Sequence, residues 1–158
     1  MTYVLVDELQ KYWFPEKFDR EMITLADGGT VGIDWAIDRD TGYGRPNTRR
    51  DNKRQPILLI SPGLGGGSRN LYTLGLMWSA RKSGFKVGSM LYRGAEGVPI
   101  TSDKISYSGA WQDCKAIIDH VHAKYVLTES KTGRRCRMYA YGCSLGAQIL
   151  SLYLRKEG

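Results

Sequence analysis

Arg137-Met138-Tyr139-Ala140-Tyr141-Gly142-Cys143-Ser144-Leu145-Gly146-Ala147-Gln148-Ile149-Leu150-Ser151-Leu152 reads as a strand, a sharp turn carrying one serine, and a helix. The strand, Cys136 to Tyr141, is short and ends in apolar and aromatic residues, as a buried strand should. From Ala147 to Leu154 the apolar side chains recur at helical spacing. The turn between them, Gly142-Cys143-Ser144-Leu145-Gly146, has the pattern G-x-S-x-G. Gly142 and Gly146 supply the missing side chains that let strand and helix approach across a turn whose central residue is strained. In a chain with 19 glycines the five residues alone are weak evidence. Their weight comes from context, because strand, turn and helix fall where a nucleophile elbow requires them. The competing reading is an ordinary glycine-rich strand–helix connection.

A second segment supports the elbow independently. Pro56-Ile57-Leu58-Leu59-Ile60-Ser61 is a continuous apolar run, suited to a parallel strand covered on both faces. It leads into Pro62-Gly63-Leu64-Gly65-Gly66-Gly67-Ser68 and then into a helix-like stretch from about Asn70 to Lys82. Where a G-x-S-x-G serine follows such a strand and loop, one oxyanion donor comes from that loop and the other from the residue after the serine. The candidate donors are therefore the backbone amides of Leu64 and Leu145. Donors of this kind stabilise the charge that develops on the acyl oxygen, and losing one typically costs about 10²–10³ in rate. The alternative is a phosphate-cradling glycine loop. No Gly-Lys-Ser/Thr closes the segment as a P-loop would, and the dinucleotide fingerprint lacks its third glycine. The readiness of helix N-termini to hold anions is what keeps that alternative open.

Further motifs occur in order along the chain: Asp27-Gly28-Gly29 followed by Gly32-Ile33-Asp34-Trp35, Pro62-Gly63-Leu64-Gly65-Gly66, Tyr92-Arg93-Gly94, Tyr107-Ser108-Gly109, Asp113, and Gly142-Cys143-Ser144-Leu145-Gly146-Ala147. Together they resemble the YheT-like α/β-hydrolases, the ABHD-type group of esterases, lipases and medium-chain acyltransferases, over about residues 20–157. The resemblance implies an α/β-hydrolase fold, a mostly parallel sheet with helices on both faces. It implies action on ester bonds of lipids or other acyl esters through serine, aspartate and histidine, without metal or organic cofactor. Carried over residue by residue, it makes Ser144 the nucleophile and Leu64 and Leu145 the oxyanion donors.

In that fold the acid and the histidine follow the serine in chain order. Gly146 is followed by twelve residues in this sequence, so the expectation is the N-terminal half of such a domain, truncated after the nucleophile helix. The chain has two histidines, His120 and His122, both in the stretch Ala116 to Tyr125 that reads as the helix before the elbow strand. A crossover helix packs on a sheet face, whereas the serine sits at the carboxyl end of its strand. Neither imidazole is expected within hydrogen-bond reach of Ser144. His-x-His does not make a metal site on a helix, where side chains at i and i+2 point apart. Two functions follow: a serine esterase or lipase whose remaining residues come from a second chain or further sequence, and a hydrolase-derived scaffold without the chemistry. Either way the edge of strand 137–141 is expected to be open, which invites pairing with a completing chain.

Composition is that of one globular domain: 158 residues, 42% hydrophobic, with a net charge of +7. The three cysteines, Cys114, Cys136 and Cys143, are odd in number and lack metal-ligand spacing, which argues against a disulfide framework. Cys143 reads as a small neighbour of the serine. Met1 to Lys11 has no signal-peptide pattern and no stretch reaches bilayer-spanning length, so the expected location is cytoplasmic or peripheral to a membrane. Residues 1–21 form an aromatic lead-in with Tyr12, Trp13 and Phe14, and 22–158 form the partial hydrolase domain, opening with a hairpin over Met22–Ile37. A polar loop over 39–55, a strand at Phe85–Leu91 after a Gly84 C-cap, a helix over Trp111–Tyr125 and a loop over 128–133 complete it. The basic charge gathers at Arg45, Arg49, Arg50, Lys53 and Arg54, and again at Arg134, Arg135 and Arg137. Nucleic acid, an anionic membrane surface and an acidic partner are the classes such patches serve, against the plainer reading of a solvated loop. No aromatic-stacking signature or zinc module accompanies the charges, which argues against nucleic acid.

Overall fold

The computed structural model describes residues 17–37, 55–127 and 136–158. Lys17–Thr24 (β1) and Thr30–Ile37 (β2) form the expected hairpin, paired antiparallel from Lys17↔Ile37 to Thr24↔Thr30. β1 begins at Lys17, so the hairpin takes in residues 17–21 that the sequence reading placed in the lead-in. Its turn is closed by the Leu25 N–H donating to the Gly29 carbonyl at 2.8 Å, with Gly28 at φ 77°. Ile57–Ser61 (β3), Leu71–Lys82 (α1), Lys86–Leu91 (β4), Trp111–Val121 (α2), Met138–Gly142 (β5) and Leu145–Glu157 (α3) follow. α1 ends as expected: Gly84 takes φ 91° and its N–H donates to the Arg81 carbonyl at 2.9 Å. The helix expected over Trp111–Tyr125 is α-helical to Val121 and then widens into a π-helical turn over His122–Leu127.

The strands make one mixed sheet in the order β1-β2-β4-β3-β5. β3 pairs parallel with both β4 and β5, while β2 meets β4 antiparallel. Helices cover both faces. Ile57 and Leu59 of β3 join Val31, Ile33, Met90, Ile117, Ile118 and Ile149 in a core beneath α2 and α3. Ile60 packs on the opposite face with Val87 and Met77 of α1, and half-buried Leu58 lies against them. An apolar strand with both faces buried is what the continuous run 57–60 required. The lead-in aromatics Tyr12, Trp13 and Phe14, the loop 39–54, the loop 128–133 and the basic residues Arg45, Arg49, Arg50, Lys53, Arg54, Arg134 and Arg135 lie outside the described residues.

Among the described residues β5 is an edge strand, hydrogen-bonded to β3 alone. Tyr139 and Tyr141 are each 45% exposed there. No helix among the described residues is long and apolar enough to cross a membrane.

Candidate active site

Ser144 stands between β5 and α3 at φ 51°, ψ −119°. Such a backbone costs a non-glycine residue on the order of 1–3 kcal/mol and persists only where its surroundings over-determine it. Here the surroundings do. The Cys143 N–H donates to the Ser61 carbonyl at 3.0 Å, continuing the β3–β5 ladder one residue past the strand. The Gly146 N–H donates to the Cys143 carbonyl at 2.9 Å and the Gln148 N–H to the Ser144 carbonyl at 3.1 Å, so α3 starts at once. Gly146 lies so near β3 that a Cβ on it would sit 2.1 Å from the Ser61 oxygen and 2.4 Å from that of Pro62. The second glycine of the motif is therefore a packing requirement between helix and strand.

Ser61 ties the elbow to the neighbouring strands. Its hydroxyl donates to the Gly146 carbonyl at 3.0 Å and also hydrogen-bonds the Tyr92 hydroxyl, at the end of β4. Burial pushes the Tyr92 phenol well above its ordinary value, so it remains protonated in this network. The ends of β3, β4 and β5 are thus joined through one buried serine. Sequence reading saw Ser61 only as the end of an apolar run.

The loop after β3 lies against the elbow. A Cβ on Gly63 would be 3.3 Å from Ser144 Cβ and 3.5 Å from the Cys143 carbonyl oxygen. The structure therefore brings the Gly63–Leu64 loop and the Ser144–Leu145 turn together. Leu64 is exposed, while Leu145 is half-buried against the core. As the first residue of α3, Leu145 carries one of the amides that have no acceptor inside the helix. Ser144 itself is exposed and Cys143 half-buried. The glycine loop is anchored elsewhere: the Ser68 hydroxyl donates to Asp34 Oδ2 at 2.5 Å, and Arg20 holds the same carboxylate with bonds of 2.7 and 2.8 Å.

The two histidines lie apart from this centre. His120 Nε2 hydrogen-bonds Glu21 Oε1 at 2.6 Å, and His122 is exposed on the π-helical turn. Glu21 also accepts bonds from Lys124 and, at 2.9 Å, from Trp35 Nε1. Burial works against the Glu21 charge, but these donors outweigh it and hold the carboxyl down at about 2. Asp27, Arg93 and Asp113 converge in a second ion network, not at Ser144: Arg93 binds Asp113 through two bonds, reaches Asp27 at 2.9 Å and donates to Ser102 at 2.8 Å. Motifs scattered through the sequence thus meet as a brace between the hairpin turn, the end of β4 and the start of α2. No group of three or more side chains able to hold a metal occurs among the described residues.

No family model matches the chain. Among curated proteins, the embryogenesis-associated protein EMB8 of Picea glauca is 32% identical over 142 residues, covering 90% of this chain and 29% of that protein. Phospholipase ABHD3 of Homo sapiens is 29% identical over 145 residues, covering 91% of this chain and 32% of that protein. The homologues are ABHD-type α/β-hydrolase proteins, and the chain spans about a third of the length of these two. Among solved structures, the Pyrococcus furiosus esterase Pf2001 superposes with a TM-score of 0.64 at 17% identity, over 93% of this chain and 48% of that one. The fold is that of the α/β-hydrolases.

Proposed function

We propose that this chain carries the nucleophile and oxyanion loops of a YheT-like, ABHD-type serine hydrolase of the carboxylesterase or lipase type, with Ser144 as nucleophile. The observation that carries the reading is the strained Ser144 backbone, φ 51° and ψ −119°, held beside Gly63 at the carboxyl ends of β3 and β5. A strained, exposed serine on a strand-to-helix turn presents its Oγ to a bound acyl group. In the proposed reaction Oγ attacks the acyl carbon, the Leu64 and Leu145 amides receive the charge on the acyl oxygen, and the alcohol departs with a proton. Water, or a second alcohol, then attacks the Ser144 ester and returns the hydroxyl proton. The base that takes the Ser144 proton belongs to other sequence in this scheme, since His120 is engaged with Glu21 of β1, the strand at the opposite end of the sheet from β5. Phospholipase ABHD3 among the relatives supports a lipid ester as the substrate class.

The open edge of β5 fits the same reading as the place where a further strand completes the sheet. Labelling with a fluorophosphonate probe tests the nucleophile, comparing the purified chain, its Ser144→Ala variant and a native extract. Labelling that depends on Ser144 is expected in the extract, and in the pure chain to the extent that the oxyanion site acts without its base. Absence of labelling in both would reject the hydrolase and leave a scaffold with a hydrolase fold.

A further inference from the structure

The loop that approaches Ser144 is held by a side chain that no motif contains. Tyr72 lies in the first turn of α1, and its phenol oxygen accepts the Gly63 N–H at 2.9 Å. The Gly63 carbonyl in turn accepts the Gly66 N–H at 2.9 Å. Gly63 is therefore fixed at both its donor and its acceptor. Its carbonyl shares a trans peptide plane with the Leu64 N–H, and in a trans peptide the two point in opposite directions. Fixing the carbonyl toward Gly66 aims the Leu64 N–H the other way. The phenol sits close to the loop backbone: a Cβ on Gly66 would lie 2.8 Å from the Tyr72 oxygen and 2.9 Å from the Gly63 carbonyl oxygen, so the turn and the phenol together leave room there only for glycine.

We propose that Tyr72 is the positioning residue of this loop, its phenol oxygen orienting the Gly63–Leu64 peptide so that the Leu64 amide is presented to an acyl oxygen at Ser144. This rests on the reading of Ser144 as nucleophile. A donor aimed in advance costs nothing to reorganise during reaction, which is where such sites gain their rate. Tyr72 acts from a helix, a more rigid support than the glycine loop it holds. The phenol oxygen accepts this bond through a lone pair.

Tyr72→Phe deletes the acceptor and keeps the ring. Amide hydrogen exchange read by NMR should show the Gly63 amide exchanging at least about tenfold faster in the variant, with the β3 and α3 amides unchanged. Fluorophosphonate labelling should slow by about tenfold in its maximal rate, short of the 10²–10³ for losing a donor outright, at an unchanged half-saturating probe concentration. Unchanged Gly63 exchange in Tyr72→Phe, or unchanged labelling once Gly63 protection is lost, would overturn the proposal. A wild-type protein that never labels would count against the Ser144 reading itself, while the exchange measurement still decides whether Tyr72 holds the loop.

Discussion

Arg93 and Asp113 meet through two parallel hydrogen bonds, Nε to Oδ2 at 2.7 Å and Nη2 to Oδ1 at 2.8 Å, with both side chains less than a tenth exposed. The pair joins the second residue past β4 to the first turn of α2, and Asp27 brings the hairpin turn onto the same guanidinium. Removing Asp113 takes two charge-assisted hydrogen bonds from the buried guanidinium and leaves it Asp27 alone as a counter-charge. Asp113→Ala is expected to lower unfolding stability by about 2 kcal/mol, read as a fall in the urea midpoint. Asp113→Asn, which keeps an acceptor for the guanidinium, should cost less.

The strain at Ser144 makes an opposite prediction for glycine. Ser144→Gly relieves a positive φ that costs about 1–3 kcal/mol, against about 0.5–1 kcal/mol of glycine chain entropy. It should unfold at higher urea than Ser144→Ala, by about 1 kcal/mol, while neither variant labels with a fluorophosphonate. Equal stability of the two would show that the turn stores no strain.

Gly146 and Gly75 separate packing from propensity. A Cβ at Gly146 meets the backbone oxygens of Ser61 and Pro62, whereas a Cβ at Gly75, inside α1, meets nothing within 4 Å. Gly146→Ala should therefore destabilise by about 1–3 kcal/mol. Gly75→Ala should stabilise by about 0.5–1 kcal/mol through the better helix propensity of alanine. Thermal melts of the two variants against the wild type measure both signs.

Glu21 gives a pH dependence of known direction. Its folded carboxyl titrates at about 2, below the ordinary value of about 4.3. The stability from its bonds to Lys124, His120 and Trp35 is thus present above about pH 4.3 and lost as pH falls towards about 2. Urea unfolding at pH 6 and pH 3 should show wild type losing more stability than Glu21→Gln over that interval. An identical loss in both would remove Glu21 from the acid response.

The exposed edge of β5 predicts self-association when no completing strand is supplied. The weight-average mass from light scattering should rise with concentration, and Ala140→Lys, a charge placed on that edge, should suppress the rise. A purified chain that stays monomeric at high concentration would contradict the open-edge reading.

Periodicity and punctuation alone located most elements. The run 57–60 suits a strand buried on both faces, Asn70 and Gly84 bracket α1, and Asp27-Gly28-Gly29 folds the hairpin. Those signals are local, and local backbone preference suffices to express them. Boundaries moved where tertiary pairing overrode them: residues 17–21 belong to β1 because they pair in register with β2, from Lys17↔Ile37 to Glu21↔Ile33.

The sequence by itself determined the strand–turn–helix around Ser144 and the glycine loop after β3, since glycine spacing and apolar runs encode both. Only the tertiary structure decided that Gly63 lies against Ser144, that Tyr72 grips that loop, that Ser61 and Tyr92 knit three strand ends, and that Arg93 gathers Asp27 and Asp113. Each of those pairs is distant along the chain or lies outside any motif, and nothing in a linear pattern fixes which tyrosine or aspartate a parallel sheet brings to a given strand end. The crossovers do that, by stacking the carboxyl ends of β3, β4 and β5 side by side.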